Sequence, residues 1–170
     1  KSFGGTGSDV AYSVAVDSSG NVYTTGVFSG TADFDPDPDP SATADLTSNG
    51  DDDVFVSKLD SSGNYLWARS FGGTDTDIAY SVAVDSSGNV YTTGYFSGTV
   101  DFDPGSGTTE LTSPGWNTDA FVSKLDSSGN YLWAKSWGGG ENSAGNDFGR
   151  SVAVDSSGNV YTTGYFSDTV

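Results

Sequence analysis

The chain has 170 residues, of which 23 are Asp or Glu and six are Lys or Arg, giving a formal net charge of −17. Only Glu110 and Glu141 are glutamates, and the cations Lys1, Lys58, Arg69, Lys124, Lys135 and Arg150 lie scattered rather than in a stripe. Such a chain repels phosphate backbones and anionic lipid, which argues against a nucleic-acid partner and makes cations its natural counter-species.

Taken in chain order, the opening KSFGG of residues 1–5 matches RSFGG at 69–73 and KSWGG at 135–139, so it reads as the tail of a preceding repeat. Residues 14–26 (VAVDSSGNVYTTG) recur letter for letter at 82–94 and 152–164, at periods of 68 and 70 residues. A second unit, FVSKLDSSGNYLWA at 55–68, returns unchanged at 121–134. Both units place DSSGN between short runs of β-branched and aromatic residues, the pattern of strand, turn, strand. Strands are predicted at 13–17, 22–28, 54–60 and 65–71, then at the equivalent positions one repeat later, with 13–17, 81–85 and 151–155 innermost. Alternating apolar residues such as Val14 and Val16, or Tyr65 and Trp67, fit a strand period and no helical one.

Four antiparallel strands per repeat at a fixed period give an all-β chain of tandem blades of the β-propeller type, since one blade cannot bury its faces alone. The boundaries are the end of a preceding blade at 1–5, blade 1 at 6–73, blade 2 at 74–139 and the first half of blade 3 at 140–170. The period exceeds the usual ~40–50 residues, and the excess falls in a predicted loop at 29–53 and its counterpart at 97–119. The expected partners are therefore further blades of the same polypeptide or identical copies, because open sheet edges invite strand addition.

With no Cys, Met or His, the chain lacks thiol nucleophiles, imidazole bases and the commonest transition-metal ligands. No apolar run approaches the roughly 20 residues that span a membrane, so membrane insertion is not expected. The acidic loops carry the remaining chemistry. Asp33, Asp35, Asp37 and Asp39 alternate in DFDPDPDP, and Asp101 and Asp103 in DFDPGSG share a spacing that can converge on calcium, although neither loop has the distal Glu of an EF-hand. The bland alternative is a solvated acidic loop stiffened by proline. Trp116, in SPGWNTD, replaces a loop of Asn49, Gly50 and Asp51 in the first repeat, and either faces a sugar ring as a glycan contact or packs locally. The turn aspartates Asp17, Asp60, Asp85, Asp126 and Asp155 are expected to bind their own backbone amides. Tyr23, Tyr91, Tyr65, Tyr131, Trp67 and Trp133 are expected to pack between blades. The insert at 138–150, with Glu141 and Asp147, reads as a flexible connection.

The features SFGGT, AYSVAVDSSGNVYTTGYFSGTVDFDPG and DAFVSKLDSSGNYLWAKSWGG resemble the SBBP family of bacterial β-propeller repeats, and VAVDSSGNVYTTG is also similar to the NHL type of propeller repeat. The resemblance implies large secreted or surface proteins with no assigned catalytic residues. The expected function is a non-catalytic extracellular or cell-surface scaffold for adhesion, matrix building or filament-like self-assembly. A calcium-dependent or glycan-binding recognition module is the alternative. A propeller glycoside hydrolase using paired carboxylates is third, because near-identical blades offer no convincing acid/base pair.

Overall fold

A computed structural model describes residues 2–37, 39, 41–115, 117–139 and 145–167. Strand β1 (Gly4–Gly5) precedes a first sheet of β2 (Asp9–Val16), β3 (Val22–Asp33), β4 (Asp45–Leu59) and β5 (Tyr65–Phe71), in which consecutive strands pair antiparallel and β1 lies along the far end of β3. The second sheet comprises β6 (Ile78–Val84), β7 (Val90–Ser97), β10 (Thr118–Leu125) and β11 (Tyr131–Trp137). Between β7 and β10 lies a small hairpin of β8 (Thr99–Asp101) and β9 (Glu110–Thr112), and the chain continues into a third hairpin of β12 (Phe148–Val154) and β13 (Val160–Tyr165). No helix occurs among the described residues.

The hairpins form because each DSSGN turn satisfies itself. In the first, Asp17 N–H donates to Asn21 O and Gly20 N–H to Asp17 O, while Asp17 Oδ1 accepts the amides of Ser19 and Asn21. Gly20, Gly63, Gly88, Gly129 and Gly158 all have φ near +80°, a left-handed conformation that costs glycine little and other residues more. The turn sets the register Val16↔Val22, and the same register recurs at Val84↔Val90 and Val154↔Val160.

Strand β5 has the predicted bounds. The predicted loop at 29–53 is instead largely sheet, since β3 runs on to Asp33 and β4 starts at Asp45, pairing Thr31↔Thr47 and Ala32↔Leu46. In the second repeat the same segment becomes β8 and β9. Cross-strand hydroxyl pairs hold both extensions, Thr31 with Thr47 at 2.8 Å and Thr99 with Thr112 at 3.0 Å. The extra length of the repeat therefore lengthens a hairpin.

Strands β2, β6 and β12 are equivalent and pack on one another in succession. Each carries a bulge at the same place, at Tyr12, Tyr80 and Arg150, and the added residue turns outward as bulges do. Ser13 Oγ accepts Val82 N–H at 3.2 Å, and Ser81 Oγ accepts Val152 N–H at 3.2 Å, so each first strand bonds the next. Between the first two sheets lies a core of Tyr23, Val54, Val56 and Trp67 against Val82, Val90 and Leu125. Phe55, between Val54 and Val56, points to the opposite face, where it joins Phe28, Ala32, Phe34 and Ala68. Tyr23 and Trp67 line this inter-sheet core, as expected, and the same ring pair recurs within each sheet: Tyr23 meets the Trp67 ring edge-on at 6.3 Å, and Tyr91 meets Trp133 at 6.2 Å.

At the outer edge, the turn of the second sheet docks on the first. Trp67 Nε1 and Lys58 Nζ both donate to Ser127 O at 3.2 Å, and Arg69 Nε donates to Gly129 O at 3.0 Å. The turn aspartates anchor these hairpins from within. Asp85 accepts from Ser87 N–H, Asn89 N–H, Asn89 Nδ2 and the Tyr91 hydroxyl. Replacing it by alanine strands the buried Tyr91 hydroxyl and opens the turn, so Asp85→Ala is expected to cost about 2–3 kcal/mol in urea unfolding. Ser86→Ala, which removes none of these bonds, is expected to change stability by less than about 0.5 kcal/mol.

Candidate functional site

The acidic loops follow from the DFDP motif. Its phenylalanine is core: Phe34 packs on Phe28 at 5.5 Å and Phe55 at 5.0 Å, and Phe102 packs on Phe96 at 5.3 Å and Phe121 at 5.2 Å. A fourth ring arrives from the preceding SFGG, with Phe3 at 5.3 Å from Phe34 and Phe71 at 5.0 Å from Phe102. The aspartates on either side of each central phenylalanine turn outward and cap backbone. Asp33 Oδ1 accepts Asp35 N–H and Ala44 N–H, both at 2.9 Å, and Asp101 Oδ1 accepts Asp103 N–H at 3.0 Å and Thr109 N–H at 2.8 Å. The ladder continues from Asp35 to Asp37, from Asp37 to Asp39 and from Asp39 to Ser41, each side chain binding the amide two residues on. The backbone amide and hydroxyl of Ser41 hold Asp39 below the usual carboxylate range.

Asp33, Asp35 and Asp37 are brought together with Asp9 along an open cleft of about 520 Å³ that also includes Gly4 and Gly5. Asp101 and Asp103 stand at the equivalent place on the second sheet, where Asp103, Arg69 and Tyr131 line a separate cleft of about 310 Å³. Among the described residues no three acidic side chains converge as a metal-holding group. Trp116 and Glu141 lie outside the described residues. Asp147, expected in a flexible connection, is instead fully buried, its carboxylate accepting Gly139 N–H at 3.1 Å and Ser167 N–H at 2.9 Å.

Asp147 belongs to a set not singled out in the sequence. Asp53, Asp77 and Asp119 are also buried, and the four form two equivalent pairs across successive sheets, Asp53 with Asp77 and Asp119 with Asp147. Gly73 N–H donates to Asp77 Oδ2 at 2.7 Å and Ser97 N–H to Asp77 Oδ1 at 3.0 Å. Asp53 Oδ2 accepts Asn49 N–H at 3.0 Å, and its Oδ1 has no hydrogen-bond partner. The recurring GG of the repeat has a steric reason here: a Cβ on Gly72 would sit 2.3 Å from the Asp53 carboxyl, and one on Gly138 2.0 Å from that of Asp119. Burial pushes Asp53 up to about 6 and Asp77 up to about 7, with the neighbouring acid adding to the shift in Asp77. An aspartate immediately ahead of an apolar residue at a strand start, at Asp53, Asp77, Asp119 and Asp147, was the available signal.

On the face of the first strands the bulge residues form a column. Tyr12 meets Tyr80 at 5.3 Å, and the Arg150 guanidinium lies 4.5 Å from the centre of the Tyr80 ring. Tyr95 and Phe148 extend it, 4.9 Å apart and edge-on. Arg150 is thus the one bulge position of the three where an aromatic ring gives way to a cation.

If DFDP is a folding device, its ring matters more than its charges. Phe102→Ala is expected to cost about 3–5 kcal/mol in denaturant unfolding, whereas Asp103→Asn, which keeps an oxygen for Gly105 N–H, is expected to cost less than about 1 kcal/mol.

Comparison with known proteins agrees with this architecture. The beta-propeller repeat family SBBP matches at residues 3–27, 66–96 and 139–165. An uncharacterized WD repeat-containing protein of Acanthamoeba polyphaga mimivirus is 29% identical over 174 residues, covering 90% of this chain and 12% of the relative. The regulatory protein FlaEY of Caulobacter vibrioides is 32% identical over 115 residues, covering 68% of this chain and 12% of the relative. The chain therefore spans about an eighth of the length of either relative. The three matched segments, each holding a DSSGN hairpin, are SBBP-type β-propeller repeats.

Proposed function

We propose that this repeat scaffold is a non-catalytic interaction module of the cell exterior, and that its end faces bind further blades, in the same polypeptide or in identical copies. One observation carries the reading. Val82 and Val152 are 6% exposed beneath the preceding first strand, whereas Val14, at the same repeat position, is 62% exposed. At the other end Tyr161 is 58% exposed where Tyr23 and Tyr91 are fully buried. Both faces carry the apolar surface that buries elsewhere in the array, and β13 adds an open strand edge. The acidic surface and the lack of cysteine suit an oxidising exterior without disulfides.

Sedimentation velocity of the 170-residue chain at ~0.15 M salt, where charges beyond ~8 Å are screened, is the test. Assembly that grows with concentration and is abolished by Val14→Lys is expected. A monomer at every concentration would remove self-association from the reading and leave only blades of the same polypeptide.

A second reading, calcium binding at Asp33 and Asp35 and their counterparts Asp101 and Asp103, is supported by the cleft these first two share with Asp9, whose buried Oδ1 has no hydrogen-bond partner. Calorimetric titration with calcium is expected to lose about half of its heat on Asp33→Asn plus Asp35→Asn, and the rest when Asp101→Asn and Asp103→Asn are added. Absence of heat in the unsubstituted chain ends that reading.

A further inference from the structure

The two buried carboxylates at the joint between the first and second sheets have no role in turn formation and face no solvent. Asp53 enters from the start of the apolar part of β4, and Asp77 stands just ahead of β6, its own amide bonded to Asp52 O at 2.8 Å. Two ionised carboxylates buried side by side repel strongly, because the protein interior screens charge less than bulk water does. No base is among the groups acting on them. Asp52 acts on Asp53, Asp53 and Asp75 act on Asp77, and Tyr95 from β7 lies in the field of Asp77 and Asp52. Each oxygen of Asp77 receives a backbone amide, and Asp53 Oδ2 receives another, so Asp53 Oδ1 is the buried atom left without a proton donor.

We propose that Asp53 and Asp77 form a proton-dependent clasp between adjacent blades, closed while at least one of the two is protonated and loosened when both groups ionise. Protonation of Asp53 removes the uncompensated buried charge at Oδ1 and the repulsion in a single step. The sign follows from linkage. Both carboxyls have folded-state values above that of an unfolded aspartate, about 3.9, so the folded chain binds more protons between there and about 7. The pair's contribution is therefore fully present below the unfolded value and is lost as pH rises through about 6 and about 7. The second joint is built differently. Its Asp119 Oδ1 shares the Ser113 hydroxyl, at 3.0 Å, with Asn117 O at 2.8 Å, a donor that Asp53 Oδ1 lacks, so the first joint is the more responsive.

The experiment is thermal unfolding of the whole 170-residue chain from pH 5 to pH 8, with Asp53→Asn, Asp119→Asn and Asp51→Asn compared. Asp51 is exposed beside the clasp, so its substitution removes the same charge without touching the pair. The melting temperature of the unsubstituted chain is expected to fall by about 5–10 °C over that range. Asp53→Asn is expected to remove more than half of the fall, Asp119→Asn less, and Asp51→Asn almost none. Equal flattening by Asp51→Asn would assign the effect to net charge and overturn the clasp. Carboxyl carbon-13 NMR of the unsubstituted chain reads the pair without any variant: coupled titration in two steps close to neutrality is expected, and titration of every aspartate below about pH 5 overturns the proposal. Calcium that raises the melting temperature at pH 8 only when Asp53 is present would also overturn it, making the pair a cation site.

Discussion

Phe71 leaves the last strand of one sheet and packs into the aromatic core of the next, against Phe102 at 5.0 Å and Phe121 at 5.6 Å. The second sheet's core is therefore completed by a residue of the first, and Phe3 takes the same place against Phe34 and Phe55 in the first sheet. A large ring buries on the order of 150–250 Å² and gains further from edge-on contact, so this shared ring sets the spacing of the sheets. The two glycines that follow it let the chain cross between them. The first seats the Asp53 carboxyl against bare backbone, and the second gives its amide to Asp77. Aromatic packing, the steric gap and the acid pair are thus consecutive steps of one crossing.

A chain with a formal charge of −17 folds because most of its aspartates do the work of backbone acceptors. Hydrogen bonds from Asn64 and Asn159 hold Asp60 and Asp155 below the ordinary carboxylate range, and at Asp17 and Asp85 such bonds outweigh the opposing pull of burial. These groups favour the folded state above the unfolded carboxylate value and lose that contribution as the pH falls. Asp53, Asp77 and Asp119, raised by burial, act in the opposite direction. The turn aspartates thus favour the folded state as carboxylates and the joint aspartates favour it as acids.

Repetition made much of the fold legible in the sequence. VAVDSSGNVYTTG, repeated three times, located the hairpins and their register, because a turn that satisfies its own amides needs no distant partner. The DFDP loops were read through their acids, whereas the structure turns on Phe34 and Phe102, whose burial depends on rings supplied from another sheet. Nor could local pattern reveal that Tyr12, Tyr80 and Arg150 are bulged, since a bulge arises from mismatch with the partner strand. Asp53 and Asp77 lie 24 positions apart in the chain, and only the docking of one sheet on the next makes them neighbours.

Near-identical repeats with unlike environments result from small changes in the connections. The stretch from Ser113 to Asp119 has one residue more than its counterpart from Ser48 to Asp53. In the longer version the serine hydroxyl reaches the buried carboxyl, whereas in the shorter one Ser48 Oγ accepts Gly30 N–H at 3.0 Å and Asp53 Oδ1 goes without. The strands on either side retain the same pairing, with Phe55 opposite Gly26 and Phe121 opposite Gly94. A single-residue change in a connection therefore alters the electrostatics of a buried joint and leaves the sheet intact. An array of this kind can diversify the response of its joints to pH while its hairpins and aromatic crossings stay fixed.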